Sequence, residues 1–328
     1  MTGRATLGVV LMTYGSPADL EDMPRYLAAV RGGRPAAEEL VVEFRRRYEL
    51  IGGSPLIPIT QAQAAAVEAR LGDLHVEARV RAAMRFSEPT IGSVVASLVA
   101  EGCDTIVGII MSPQYSGMLM SGYEKALGEA VGALEPIAPE FRLAPAWYGD
   151  DRFTEAVAQR IHEGLARLPA AERDRASVLL TAHSLPLRVA EAEPEYLSQL
   201  HQTAEAVAAR AGLDRERWHF CWQSAGHEPG AWMKPDFADL LPTLRAAGHR
   251  SVLVAPVQFL ADHLEVLYDI DIAAREQAEA AGMAFARIES LNVLPSFIDC
   301  LARTARRTAE DGARVPQAAL LGHHPFER

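Results

Sequence analysis

The chain has 328 residues, 49% of them hydrophobic and 23% charged, with a formal net charge of −11. At roughly 150 residues per domain that length predicts two domains, and the composition supports packed cores and excludes a disordered chain. The acidic balance argues against a broad nucleic-acid-binding face, and no apolar run reaches the ~18 residues a spanning helix needs.

In chain order, short apolar runs predict strands over 7–12, 74–82, 105–111 and 142–147, and a second set over 177–181, 218–222, 251–255 and 283–288. Between them apolar residues recur at three and four over 61–71, 90–100, 194–211 and 263–280, the helical spacing. Strand and helix alternating in this way predict an α/β class: two doubly wound, Rossmann-like domains, each with a four-stranded parallel sheet. The expected division is 1–150 and 151–328, with the last helix able to pack back on the N-terminal domain. The first 15 residues carry no basic stretch or cleavage pattern, so no signal peptide is expected. Cys103, Cys221 and Cys300 lie too far apart for a disulfide framework or a CxxC site, which predicts a reduced, cytoplasmic enzyme.

The two halves echo each other. The first strand of one half runs into Thr13-Tyr14-Gly15-Ser16-Pro17, and that of the other into Ala182-His183-Ser184-Leu185-Pro186. Open α/β sheets bind ligands beyond the carboxyl ends of their strands, so these polar-tipped loops are the first place to look for a site.

His183 follows a fully apolar strand; the plain alternative is a hydrogen-bonded histidine at a strand end. A nearly apolar run over 252–260 leads into Asp262, Glu265 and Asp269, which on an α-helix share one face. A solvated acidic face would also explain them, but a buried strand delivering a carboxylate row reads as a cleft wall. Imidazole with carboxylate suits two tasks, holding a divalent cation or removing protons from a weak acid, and spacing does not choose between them.

Arg45-Arg46-Arg47-Tyr48 precedes Gly52-Gly53-Ser54-Pro55. Three successive arginines spread around a helix and cannot all face one ligand, but arginine matches planar carboxylates well. There is no GxxxxGK[ST] or usable GxGxxG, which counts against a nucleotide enzyme. Tyr14, Tyr115 and Tyr123 with Met118, Leu119 and Met120 are either core or the lining for a large flat apolar ligand.

Six segments together resemble the ferrochelatases, and more narrowly the coproporphyrin ferrochelatases of monoderm-type bacteria. They are 11–17, 47–55, 112–116, 181–186 (Thr-Ala-His-Ser-Leu-Pro), 222–224 and 262–269 (Asp-His-Leu-Glu-Val-Leu-Tyr-Asp), in the family's order. The resemblance implies a chelatase-like fold and insertion of Fe2+ into coproporphyrin III, with His183 and Glu265 as the catalytic pair that handles the metal and accepts pyrrole protons. It implies that Tyr14 approaches the metal from the opposite porphyrin face. Arg31, Arg47, Tyr48, Ser54 and Tyr123 are the implied contacts to the macrocycle and its propionates, and Asp269 an accessory in a metal-passing row. That row is incomplete, since Ala273 stands where some relatives have a carboxylate. Iron is expected as a substrate, with no required cofactor and no iron–sulfur cluster. Expected partners are the porphyrin and Fe2+, a transient contact with the next haem-pathway enzyme, no nucleic acid and no membrane insertion. The rival readings are a protoporphyrin IX ferrochelatase, a non-catalytic porphyrin or haem carrier, and a chelatase of a polar tetrapyrrole such as sirohydrochlorin. The last typically presents paired histidines.

Overall fold

The computed structural model describes residues 6–134, 139–226 and 230–311. It forms two four-stranded sheets, parallel throughout. The first holds β1 (Thr6–Thr13), β2 (Ala78–Met84), β3 (Cys103–Ile110) and β4 (Glu140–Leu143) in the order β2-β1-β3-β4. The second holds β5 (Ser177–His183), β6 (Trp218–Gln223), β7 (Ser251–Pro256) and β8 (Ala284–Arg287) in the order β6-β5-β7-β8. Each sheet thus repeats one topology.

The inner strands read as unbroken apolar runs because helices cover both faces of a parallel sheet, leaving neither to water. Val9 to Met12 on β1 and Val178 to Leu180 on β5 are fully buried. Helices start where a side chain satisfies their free amides: Thr90 accepts from the Ser93 amide before Ile91–Ala100, and Ser116 from the Leu119 amide before Gly117–Gly132.

All eight expected strands are present, with shifted ends. The β2 run starts at Ala78 rather than 74 because helix Leu56–Asp73 closes over Leu74 and His75, His75 at φ +60°. The β4 run ends at Leu143 rather than reaching 147, since Pro145 has no N–H for the ladder. At the outer edge of the first sheet, the Val80 amide donates to Glu68 Oε2 at 2.7 Å, and Arg79 and Arg81 fold back onto the carbonyls of Ala78 and Val80.

A larger correction concerns 263–280, expected as one α-helix. Residues Glu265–Ala274 form a π-helix, and only Arg275–Ala280 is α-helical. Its buried residues Val266, Ile270 and Ala274 are four apart, a spacing that an α-helix tolerates equally well. Ile270 and Ala274 pack into the core with Leu179, Val252 and Val254.

The described residues divide into two compact units, one comprising those to Trp147 plus those from Phe297, the other those from Tyr148 to Ser296. The expected second domain, 151–328, therefore gives up helix Pro295–Asp311 beyond its first two residues. The reason is local: Phe297 meets Trp147 at 6.2 Å between ring centroids, Asp299 pairs with Arg70 at 2.7 Å, and Arg142 donates to the Thr308 carbonyl.

Candidate functional site

In the second unit, β5 carries His183 at its carboxyl end. The His183 amide donates to Gln258 Oε1 at 2.9 Å, and Gln258 Nε2 in turn donates to the buried Tyr196 hydroxyl, so the loop after β7 holds the end of β5. His183 Nδ1 lies 2.5 Å from the Ser184 carbonyl, which can only accept. In the neutral imidazole Nδ1 therefore carries the proton and Nε2 keeps its lone pair. That Nε2 stands 3.7 Å from Glu265 Oε1.

The other carboxylate oxygen has its own imidazole. His263 Nε2 lies 3.4 Å from Glu265 Oε2, and His263 Nδ1 faces the Ala261 carbonyl at 2.9 Å. Burial alone would push the Glu265 carboxyl up, but the positive charge His183 carries when protonated and the hydrogen bond from His263 outweigh it and bring its pKa to about 2. Burial likewise works against the His263 imidazolium, yet the Glu265 carboxylate overcomes it and raises that group. At 3.4 Å the contact is a long hydrogen bond, so charge supplies most of the attraction. Glu265 is crowded by protein but keeps 36% of its side chain accessible, which leaves an ionised carboxylate between two imidazoles and open to a ligand.

Asp262 does not share a face with Glu265, contrary to the row expected on an α-helix. It precedes the π-helix and is taken up by Ser290 Oγ (2.8 Å), Asn292 Nδ2 (2.9 Å) and the Arg287 guanidinium (3.3 Å). Asp269 lies half-buried on the π-helix four residues beyond Glu265. Among the described residues no group of three or more His, Cys, Asp or Glu is arranged to hold a metal ion. His183 and Glu265 are two donors, not a closed cage, and could take an ion only together with other ligands.

In the first unit Tyr14 follows β1 and is 42% exposed, its ring edge-on to Phe86 at 4.6 Å between centroids. Arg31 is exposed just past helix Met23–Val30. On helix Glu38–Leu50, Arg46 and Arg47 both close onto Glu43, at 2.9 and 2.7 Å, and those two hydrogen bonds pull the Glu43 carboxyl down to about 2. Arg45 points away and donates to the Leu20 carbonyl. The basic run is thus divided, as the helical geometry requires. Ser54 follows Gly52 and Gly53, both at positive φ, and its hydroxyl accepts from the Leu56 amide where the next helix begins.

Tyr48 and Tyr123, expected against a macrocycle, are only 5% and 7% exposed. Tyr123 belongs to the core with Met12, Val95 and Leu127. They offer a flat ligand almost no surface.

Two residues escaped the sequence reading. His263 sits beside the expected carboxylates, but nothing in an α-helical wheel turns it onto Glu265. Arg85 follows β2 and lies over both the Phe86 ring (4.7 Å) and the Tyr123 ring (5.4 Å). It fits there because residue 122 is glycine: a Cβ would come within 1.7 Å of the guanidinium. No carboxylate pairs with Arg85 among the described residues. The Arg-Phe pair after a buried strand was its only sequence signal.

The ferrochelatase family model matches residues 6–309. A ferrochelatase of Deinococcus radiodurans is 36% identical over 314 residues, covering 95% of this chain and 99% of that relative. A coproporphyrin III ferrochelatase of Geobacillus kaustophilus is 36% identical with the same coverage, and one of Bacillus subtilis 35% identical, covering 91% of this chain and 96% of its own. Among solved structures, SirB from Bacillus subtilis with Fe3+ shares the fold at a TM-score of 0.58 and 12% identity, over 93% of this chain and 96% of that one.

Proposed function

We propose, from the premise that this chain belongs to the ferrochelatase family and is an enzyme that inserts metal into a porphyrin, that it inserts Fe2+ into coproporphyrin III. The reading rests above all on Glu265, an accessible carboxylate that stays ionised between two imidazoles.

Metal insertion has two barriers, stripping water from the ion and removing two N–H protons from a weakly basic planar ring. His183 Nε2 and Glu265 are the proton acceptors in this reading, one lone pair and one carboxylate at neighbouring positions. Both are also suitable donors to an incoming Fe2+. Bending the ring to expose its nitrogens costs energy, which contacts with remote groups of the substrate must offset. Tyr14 is assigned to the opposite porphyrin face, and Asp269 to an accessory role in passing the ion.

Coproporphyrin carries four carboxylates and protoporphyrin two. Exposed Arg31 and the unpaired Arg85 favour the more anionic substrate, Ser54 adds a hydroxyl, and Arg47 contributes on partial release from Glu43. Tyr123 backs Arg85. No helix among the described residues is long and apolar enough to cross a membrane. Delivery of a water-soluble porphyrin in the cytoplasm asks for none, and the reading calls for no resident cofactor or cluster.

His263 weakens one distinction. Paired histidines were the mark of chelatases acting on polar tetrapyrroles, and this site holds two. Sequence relatedness, 36% to a coproporphyrin ferrochelatase against 12% to SirB, carries the choice instead. The test is turnover of both porphyrins by the purified protein. Faster insertion into coproporphyrin III is expected; faster turnover of protoporphyrin IX rejects the substrate assignment, and metal-free porphyrin in excess Fe2+ rejects the enzyme reading in favour of a carrier.

A further inference from the structure

We propose that Arg287 is a positioning residue for metal insertion, fixing both ends of the segment that carries His263 and Glu265. It is the last residue of β8, whose ladder on β7 makes it a rigid platform. From there the guanidinium makes a two-pronged contact with Asp271, Nε to Oδ1 and NH2 to Oδ2, both at 2.8 Å. The remaining nitrogen, NH1, reaches Asp262 Oδ1 at 3.3 Å and the Ile288 carbonyl at 2.8 Å.

Asp262 immediately precedes His263, and Asp271 lies within the π-helix, six residues beyond Glu265. One side chain therefore ties down the segment on both sides of the imidazole–carboxylate pair. Asp262 is locked further by Ser290 Oγ and by a reciprocal pair of bonds with Asn292, whose Oδ1 accepts from the Asp262 amide at 3.0 Å. The arginine is 12% exposed, so its planar fork is held in place rather than swinging in solvent.

The turn width of 265–274 gives this clamp its consequence. A π-helix is the rarer backbone choice, and tightening the segment towards α would rotate Glu265 relative to Asp271. With Asp271 fixed to the sheet and Asp262 fixed to the 288–292 loop, the carboxylate cannot turn without breaking the fork. Glu265 then stays within reach of both His183 and His263. Outer-shell partners of this kind commonly tune metal sites as strongly as they tune stability.

The inference rests on the metal-insertion reading, and its test separates the two. Arg287→Lys keeps the charge and loses the fork; Asp271→Asn keeps the shape and loses the charge; Arg287→Gln loses both features. In folded variants the KM for Fe2+ is expected to rise, and kcat to fall, by about tenfold or more, while the porphyrin KM stays within about twofold. Arg287→Lys should retain more activity than Arg287→Gln. A purely structural role would lower the melting temperature and leave the Fe2+ KM per folded molecule unchanged, and that result overturns the proposal. Hydrogen exchange on the wild-type protein needs no variant to fold: slow exchange of the 268–274 amides is expected, and exchange as fast as at Gly52 and Gly53 overturns it. A wild-type protein that inserts no metal defeats the functional reading instead, and the exchange result still decides the clamp.

Discussion

The carboxyl ends of β1 and β5 occupy equivalent places in two sheets of the same strand order, yet they are furnished in opposite ways. After β1 stands an exposed phenol, Tyr14, backed by Phe86 and by a guanidinium lying across aromatic rings. After β5 stands an imidazole joined to a carboxylate, a second imidazole, and beyond them an arginine with two aspartates. The first region makes contacts that tolerate displacement, because cation–π and edge-on ring contacts vary softly with geometry. The second is a charge network whose members depend on one another in low dielectric. A repeated topology supplies the frame twice, and the proposed proton and metal chemistry falls to the copy in which the charges are held in place.

The contrast is most sharply tested by His183→Ala and Glu265→Gln. Each should cut iron insertion by about 10²- to 10⁴-fold, the usual worth of a positioned acid or base, with porphyrin binding retained by fluorescence titration. A residual rate near that of the wild type in either variant removes that residue from the mechanism. Next in size, Phe297→Ala should destabilise the first unit by about 3–5 kcal/mol, since a fully buried ring beside Trp147 is lost. Calorimetry should then show a lower first transition; an unchanged melting profile would mean that the C-terminal helix adds little to that unit.

Gly122→Ala is a gentler probe of the softer region. The new methyl group would push the Arg85 guanidinium off its rings. The expected result is an approximately fivefold higher porphyrin KM with kcat preserved, because remote binding is lost and the chemistry is not. Stability should change little, as alanine is the better helix former. The smallest effect is in pH. Burial raises the Asp299 carboxyl, but Arg303 and Arg70 outweigh it and hold the folded value below the ordinary 3.8. Stability from this group is therefore fully present above that ordinary value and is lost as the pH falls through the lower folded one. Acid titration of Asp299→Asn should show a shallower decline, by about 1 kcal/mol or less given how exposed the arginines are.

The strands were legible because parallel sheets covered on both faces demand unbroken apolar runs, and 7–12, 177–181 and 251–255 supply them. His183 and the carboxylate segment stood out from the ends of apolar strands, the family motifs paired His183 with Glu265, and the two side chains stand 3.7 Å apart. What stayed hidden has a common cause. Periodicity in apolar residues reports which side of a helix is buried, and Val266, Ile270 and Ala274 report the same side whether the turn is α or π. The row misplaced Asp262 and left His263 unnoticed because both precede the helix, which begins only after them, and no helical wheel applies there. The capture of Arg46 and Arg47 by Glu43 was within reach of simple spacing, three and four residues away. The burial of Tyr48 and Tyr123 was not, since motif identity says nothing of depth. The last helix was expected to be able to pack back on the first domain, and the partners it meets there, Trp147, Arg70 and Arg142, lie far off in sequence.

The rim of the first sheet, finally, bears on how the protein behaves in a crowded solution. With Glu68 occupying the Val80 amide and two arginines curled over their own strand's oxygens, β2 offers an incoming polypeptide few open rungs. Edge-to-edge pairing through β2 is thereby discouraged, and by nothing more than three ordinary charged side chains.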